Sequence, residues 1–137
     1  MKRTGLLYDD RFLLHCTGPG HPECPERLEA AYRGLEQAGL LSQLVLIKAT
    51  RAKYTWIEAV HSAKHVIRFE EACMLQFPEL DHPDNQMCGD TFETAMLAVG
   101  GILETIRLLM EGRIDNVFCA VRPPGHPSDQ PGADRVG

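Results

Sequence analysis

The run Ala120-Val121-Arg122-Pro123-Pro124-Gly125-His126 leaves an apolar stretch and ends on a histidine, a side chain that gives and takes protons near neutral pH. Asn116 to Val121 is short, apolar and rich in strand formers, which predicts a strand buried on both faces of a parallel sheet. Pro123 and Pro124 lack backbone donors and fix φ, and Arg122 before them is pushed toward extended geometry. The chain should therefore leave the sheet along a stiff path. Gly125 is expected to provide a conformation or close approach that a side chain would forbid, delivering His126 beyond the strand's carboxyl end. Ligands bind at that edge of open α/β sheets.

Other chemistry-bearing residues are weaker as sites. His61 and His65 have the i, i+4 spacing of a helical zinc pair, but Ser62-Ala63-Lys64 between them lacks the glutamate of H-E-x-x-H, so packing or capping is expected. His15, His21 and His82 fall in loops. Gly100-Gly101 lies within a helical pattern with no GxGxxG, which points to close helix packing. The residues encode no metal site of their own.

The elements that must position His126 read as strand, helix, strand, helices, helix, strand, the order of parallel βαβ units. Thr4 to Tyr8 and Leu44 to Ile47 are predicted strands, and His15 to Pro25 a long loop. Leu28, Ala31, Tyr32 and Leu35 give helical spacing after Pro25, with Gly39 at the stop. Thr55 to Val60 and Lys64 to Leu75 follow as helices, and Phe77 to Gly89 as a polar loop. The longest helix runs from Asp90 to about Met110, with Asp90 and Glu93 in a capping box and Gly112 as the terminal cap. Its apolar face is predicted to be Met96, Val99, Leu103, Ile106, Leu109 and Met110.

The length of 137 residues and a hydrophobic fraction of 44% suit one globular domain. A net charge of −5 with scattered Lys and Arg argues against a nucleic-acid partner. The apolar run Gly5-Leu6-Leu7-Tyr8 is too short for a signal-peptide core, and no run reaches the ~20 residues of a membrane span. The 5 cysteines form no CxxC pair, as expected of reduced thiols in the cytoplasm.

RPPGH after a short apolar strand resembles the zinc-dependent histone deacetylase superfamily, which includes acetylpolyamine amidohydrolases and acetoin-utilisation proteins. His21-Pro22-Glu23-Cys24-Pro25-Glu26-Arg27-Leu28 is similar to its HPExPERL segment, and Val60-His61-Ser62 to its VHS motif. Thr91-Phe92-Glu93, followed by Ala95, Leu97, Ala98 and Gly100-Gly101, resembles the helix before the RPPGH strand, particularly in the class II branch.

The resemblance implies an α/β fold, the N-terminal portion of an arginase-like deacetylase domain with a parallel sheet flanked by helices. Residues 1–137 would form a single incomplete domain. It implies that His126 is the catalytic histidine on the active-site loop Arg122, Pro123, Pro124 and Gly125. Arg27 would line a channel behind the site, a salt bridge to Glu23 or Glu26 being its alternative role. Asp81, Asp84 and Asp90 fall where the family places an acidic residue at the substrate rim. Pro127 departs from the pattern, since it stands where the family has a second histidine and cannot exchange protons; loss of such a group costs ~10²–10⁴ in rate. The family's zinc ligands, a DxH motif and a later aspartate, and its tyrosine lie beyond Gly137.

The expected function is hydrolysis of acetyl-lysine or acetylpolyamine amides in the family, with this chain truncated before the zinc ligands and inactive alone. The alternative is a non-catalytic short homologue acting as a binding or assembly module. Zinc is the family's cofactor, and none is expected for this chain alone. Acetylated lysine or polyamine is the partner of a completed site. An exposed sheet edge would favour a homo-dimer.

Overall fold

A computed structural model describes residues 2–125, so His126 and Pro127 lie outside the described residues. The elements are β1 (Thr4–Leu7), α1 (Pro25–Gln37), β2 (Val45–Ile47), α2 (Tyr54–Glu58), α3 (Ala63–Met74), β3 (Glu79–Leu80), β4 (His82–Gln86), α4 (Thr91–Met110) and β5 (Asn116–Cys119). A 3₁₀ turn, Asp10–Leu14, follows β1. Strands β1, β2 and β5 form a parallel sheet in the order β2-β1-β5, with Leu6 opposite Leu46 on one side and Phe118 on the other. Its carboxyl ends therefore share one edge.

β1 is the central strand, and its Leu6 and Leu7 are fully buried. Together with Phe12, Leu28, Ile47 and Ile114 they anchor the main core. A second cluster joins Val66 and Cys73 of α3 to Phe92 and Met96 of α4. β5 departs from the sequence expectation: among the described residues it is an edge strand rather than one buried on both faces, and Phe118 is 57% exposed. An apolar strand composition specifies pairing and one packed face, and strand order determines the rest.

Three helix ends close by the same device. After α1 and α4, Gly39 (φ +67°) and Gly112 (φ +65°) take the left-handed conformation that the sequence predicts. The Leu40 amide then donates to the Leu35 carbonyl, and the Arg113 amide to that of Leu108. α3 ends identically without a glycine. Gln76 adopts φ +56° there, and the Phe77 amide donates to the Ala72 carbonyl.

Of the face predicted for α4, Met96 is buried and Val99 and Leu109 pack partly buried against the two cores, but the rest of the inward face is not the one predicted. Leu103, Ile106 and Met110 are exposed, whereas Thr94, Leu97, Ala98, Gly101, Thr105 and Leu108 are buried. Small residues win the inward face because the helix lies almost on the backbone beside it. A Cβ on Gly100 would sit 1.8 Å from the Thr50 carbonyl oxygen, and one on Gly101 2.8 Å from a Leu7 methyl. The Ala52 amide donates to the Met96 carbonyl across the same contact.

The start of α4 also differs. Asp90 is the N-cap residue but makes no side-chain capping bond, and Glu93 pairs with Arg51 instead of closing a capping box. Phe77 to Gly89 is not a plain loop: β3 and β4 form an antiparallel hairpin turned at Asp81 (φ +63°), whose carboxylate pairs with Arg68. His61 precedes α3, Ser62 caps it by accepting from the His65 amide, and the two imidazoles stack at 5.5 Å. They do not sit on one helix as a metal pair.

Candidate active-site edge

Arg122 emerges past the carboxyl end of β5, where the Ala120 amide donates to the Leu7 carbonyl and keeps the strand's continuation beside β1. The Arg122 side chain turns inward and is buried. Its Nε and Nη2 donate to the two carboxylate oxygens of Glu23 at 2.6 and 2.8 Å. Nη1 donates to the carbonyls of Phe12 at 3.0 Å and His15 at 2.8 Å. This planar fork spans four acceptors that a lysine could not match. It ties the RPPGH run to the long loop and to the turn after β1.

His15 completes the network. Its Nε2 lies 3.3 Å from Glu23 Oε2, and its Nδ1 2.8 Å from Thr91 Oγ1. Burial, then the Arg122 charge, hold the imidazole below its ordinary value, so the ring is neutral near pH 7. A carboxylate accepts and does not donate, which assigns the proton to Nε2 and leaves Nδ1 to accept from the Thr91 hydroxyl. That hydroxyl in turn accepts from the Cys88 amide. Burial pushes Glu23 up, but the Arg122 hydrogen bonds and charge outweigh it and the carboxyl titrates below its usual range.

The structure places the expected site residues unequally. Arg122 is an internal anchor, 3% exposed among the described residues. Its peptide bond to Pro123 is cis. Pro124 and Gly125 are exposed, and a Cβ on Gly125 would meet open space among the described residues, so no close approach there demands glycine. Arg27 is exposed on α1, and the carboxylate of Glu23 is taken by Arg122 and His15 rather than by Arg27. Asp84 is exposed on β4. His15 and Thr91 were not singled out from the sequence. Their signal was Thr91's place in the Thr91-Phe92-Glu93 motif and the proximity of His15 to the early His21-Pro22-Glu23 motif.

Among the described residues no group of three or more His, Cys, Asp or Glu side chains is arranged to hold a metal ion. These residues do not fit a zinc site, and no hydrolytic step is assigned to them.

The histone deacetylase domain family matches residues 21–133. The chain belongs to that family. It is 34% identical to the mouse polyamine deacetylase HDAC10 over 98% of its own length and 20% of the relative's. A probable deacetylase of Archaeoglobus fulgidus is 30% identical over 90% of this chain and 34% of the relative. A crystal structure of the HDA15 HD domain superposes with a TM-score of 0.84 at 29% identity, over 92% of this chain and 37% of that one. The chain thus spans between a fifth and about two fifths of the proteins it matches, and the α/β fold is that of a deacetylase domain's N-terminal part.

Proposed function

We propose that this chain supplies the N-terminal part of a catalytic domain that hydrolyses the amide of an acetylated lysine or an acetylated polyamine, releasing acetate and the free amine. The observation that carries the reading is the Arg122–Glu23 fork, which fastens RPPGH to HPExPERL at the carboxyl edge of the sheet. Zinc is the metal of the whole domain in this reading, and the described residues serve to position. The fork sets the course of the chain as far as Gly125, one residue before His126. Hydrolysis is a property of the completed domain, and the segment alone is inactive.

The reading extends to surroundings. Leu103, Ile106 and Met110 leave an exposed apolar face on α4, and Phe118 is exposed on β5, an edge strand among the described residues. Cover for that face comes from further chain in the complete protein and from a second copy when the segment is isolated. Five free thiols suit a reducing compartment, and we place the protein in the cytoplasm. A non-catalytic binding module is the second reading, favoured by Pro127, which cannot exchange protons.

The test is acetate release from an acetyl-lysine peptide and from acetylspermidine by protein purified from its native host, before and after chelation. Chelator-sensitive release supports the deacetylase. A zinc-loaded native protein that releases no acetate from either substrate leaves the binding module.

A further inference from the structure

Cys16 follows His15 in the long loop, and Cys88 precedes Thr91 at the start of α4, so the two thiols flank the His15–Thr91 hydrogen bond. The Cys16 amide donates to Cys88 Sγ at 3.2 Å. That nitrogen is one bond from the Cys16 Cα, which brings the two side chains within reach of each other. Cys88 Sγ is oriented by donating to the Leu14 carbonyl at 3.4 Å. Both residues line an open cavity of about 300 Å³, bordered also by Thr17, Gly18, Pro78 and Gln86. Cys16 is exposed and Cys88 partly so, whereas Cys73 is buried.

We propose that Cys16 and Cys88 are a reversible disulfide site, oxidised by exchange with a small-molecule disulfide that enters this cavity. The Cys16 thiolate attacks one sulfur of the oxidant, here oxidised glutathione; the glutathione S–S bond breaks, and the departing thiolate takes up the proton that Cys16 lost. The Cys88 thiolate then attacks the Cys16 sulfur of the mixed disulfide. The Cys16–Cys88 bond forms, and the second glutathione leaves with the proton from Cys88. The protein dithiol loses two electrons and the glutathione disulfide gains two. Burial and the neighbouring Cys88 thiol push the Cys16 thiol up, so the first step accelerates as the solution becomes more alkaline. The bond clamps the loop that carries His15 and Glu23 to the segment just before α4, alongside the hydrogen bond already there.

The test uses the full chain, equilibrated in glutathione buffers of graded ratio, quenched by alkylation, digested without reduction and weighed. The expected product is one cross-linked peptide pair joining Cys16 to Cys88, with two of the five thiols lost. It should persist at ratios that keep Cys24 and Cys119 fully reduced, and survive in Cys24→Ser and Cys119→Ser. Glutathione adducts on Cys16 without the cross-linked pair would overturn the proposal, as would a bond from Cys88 to Cys73. The readout is on the wild-type chain and needs neither thiol variant to fold.

Discussion

Arg122 and Glu23 stand 99 positions apart in the chain and meet in a two-pronged ion pair with contacts of 2.6 and 2.8 Å. Two backbone carbonyls fill a third prong of the same guanidinium. The pair joins the first and last motifs of the described chain, and its satisfaction is complete: no buried side-chain nitrogen or oxygen among the described residues lacks a partner.

Removing one member of a buried pair leaves the other charge stranded, at a cost of ~3–5 kcal/mol. Glu23→Gln should lower unfolding stability by ~3 kcal/mol in urea titration. Arg122→Lys should lose nearly as much, because one ammonium cannot span the carboxylate and both carbonyls. An Arg122→Lys midpoint equal to wild type would show that charge without the fork suffices.

Acid should act in two stages. His15 titrates lower in the fold than its ordinary 6.5, chiefly through burial, so the unfolded chain binds the extra proton first. Its contribution is full above pH 6.5 and is lost as pH falls through the folded value. Glu23 also titrates low in the fold, so its share is full above 4.5 and is lost below that. Urea midpoints should be level from pH 8 to 7 and decline below about 6.5, with the first decline absent in His15→Gln. Midpoints that rise between pH 7 and 5.5 would contradict the neutral imidazole.

Two alanine substitutions on helices should have opposite effects. Gly100→Ala drives a methyl into the Thr50 carbonyl and the Ala52 amide nitrogen, at 1.8 and 2.7 Å. Backbone must move, and a loss of at least ~3 kcal/mol is expected. On α1, a Cβ at Gly34 meets nothing within 4 Å. Gly34→Ala should raise stability by ~0.5–1 kcal/mol through helix propensity. Thermal melts of the two variants check both signs.

Gln76 carries a side chain in the left-handed region, which costs an L-residue roughly 1 kcal/mol. Gln76→Gly should therefore stabilise the end of α3 by up to ~1 kcal/mol, against the usual effect of adding glycine. A lower melting point in that variant would mean that the Gln76 side chain contributes more than its backbone costs.

The sequence made some of this legible and hid the rest for physical reasons. Pro25 and Gly39 bracket α1, and Gly112 closes α4, because each signal acts within one turn of chain. The hairpin was hidden: Glu79 to Gln86 is polar, contains Pro83 and shows no apolar alternation. Pairing there is held by tertiary contacts, including the Gly18 amide donating to Gln86 at 2.5 Å. The inward face of α4 was read correctly at Met96 but misread at Leu103 and Ile106, because hydrophobicity marks those two whereas close packing selects Ala98, Gly100 and Gly101. His15 looked like a loop residue, since its partners Glu23, Thr91 and Arg122 are brought to it by folding. RPPGH was recognisable as a motif, yet nothing local disclosed that its arginine points inward as an anchor.

The measurement that bears most directly on the central claim is the intact mass of this protein as its native host makes it. A species much heavier than the 15.3 kDa of these residues, carrying their peptides, is the expected result and makes the chain part of a complete deacetylase domain. A stable native product at 15.3 kDa would contradict that account and leave the non-catalytic module in its place.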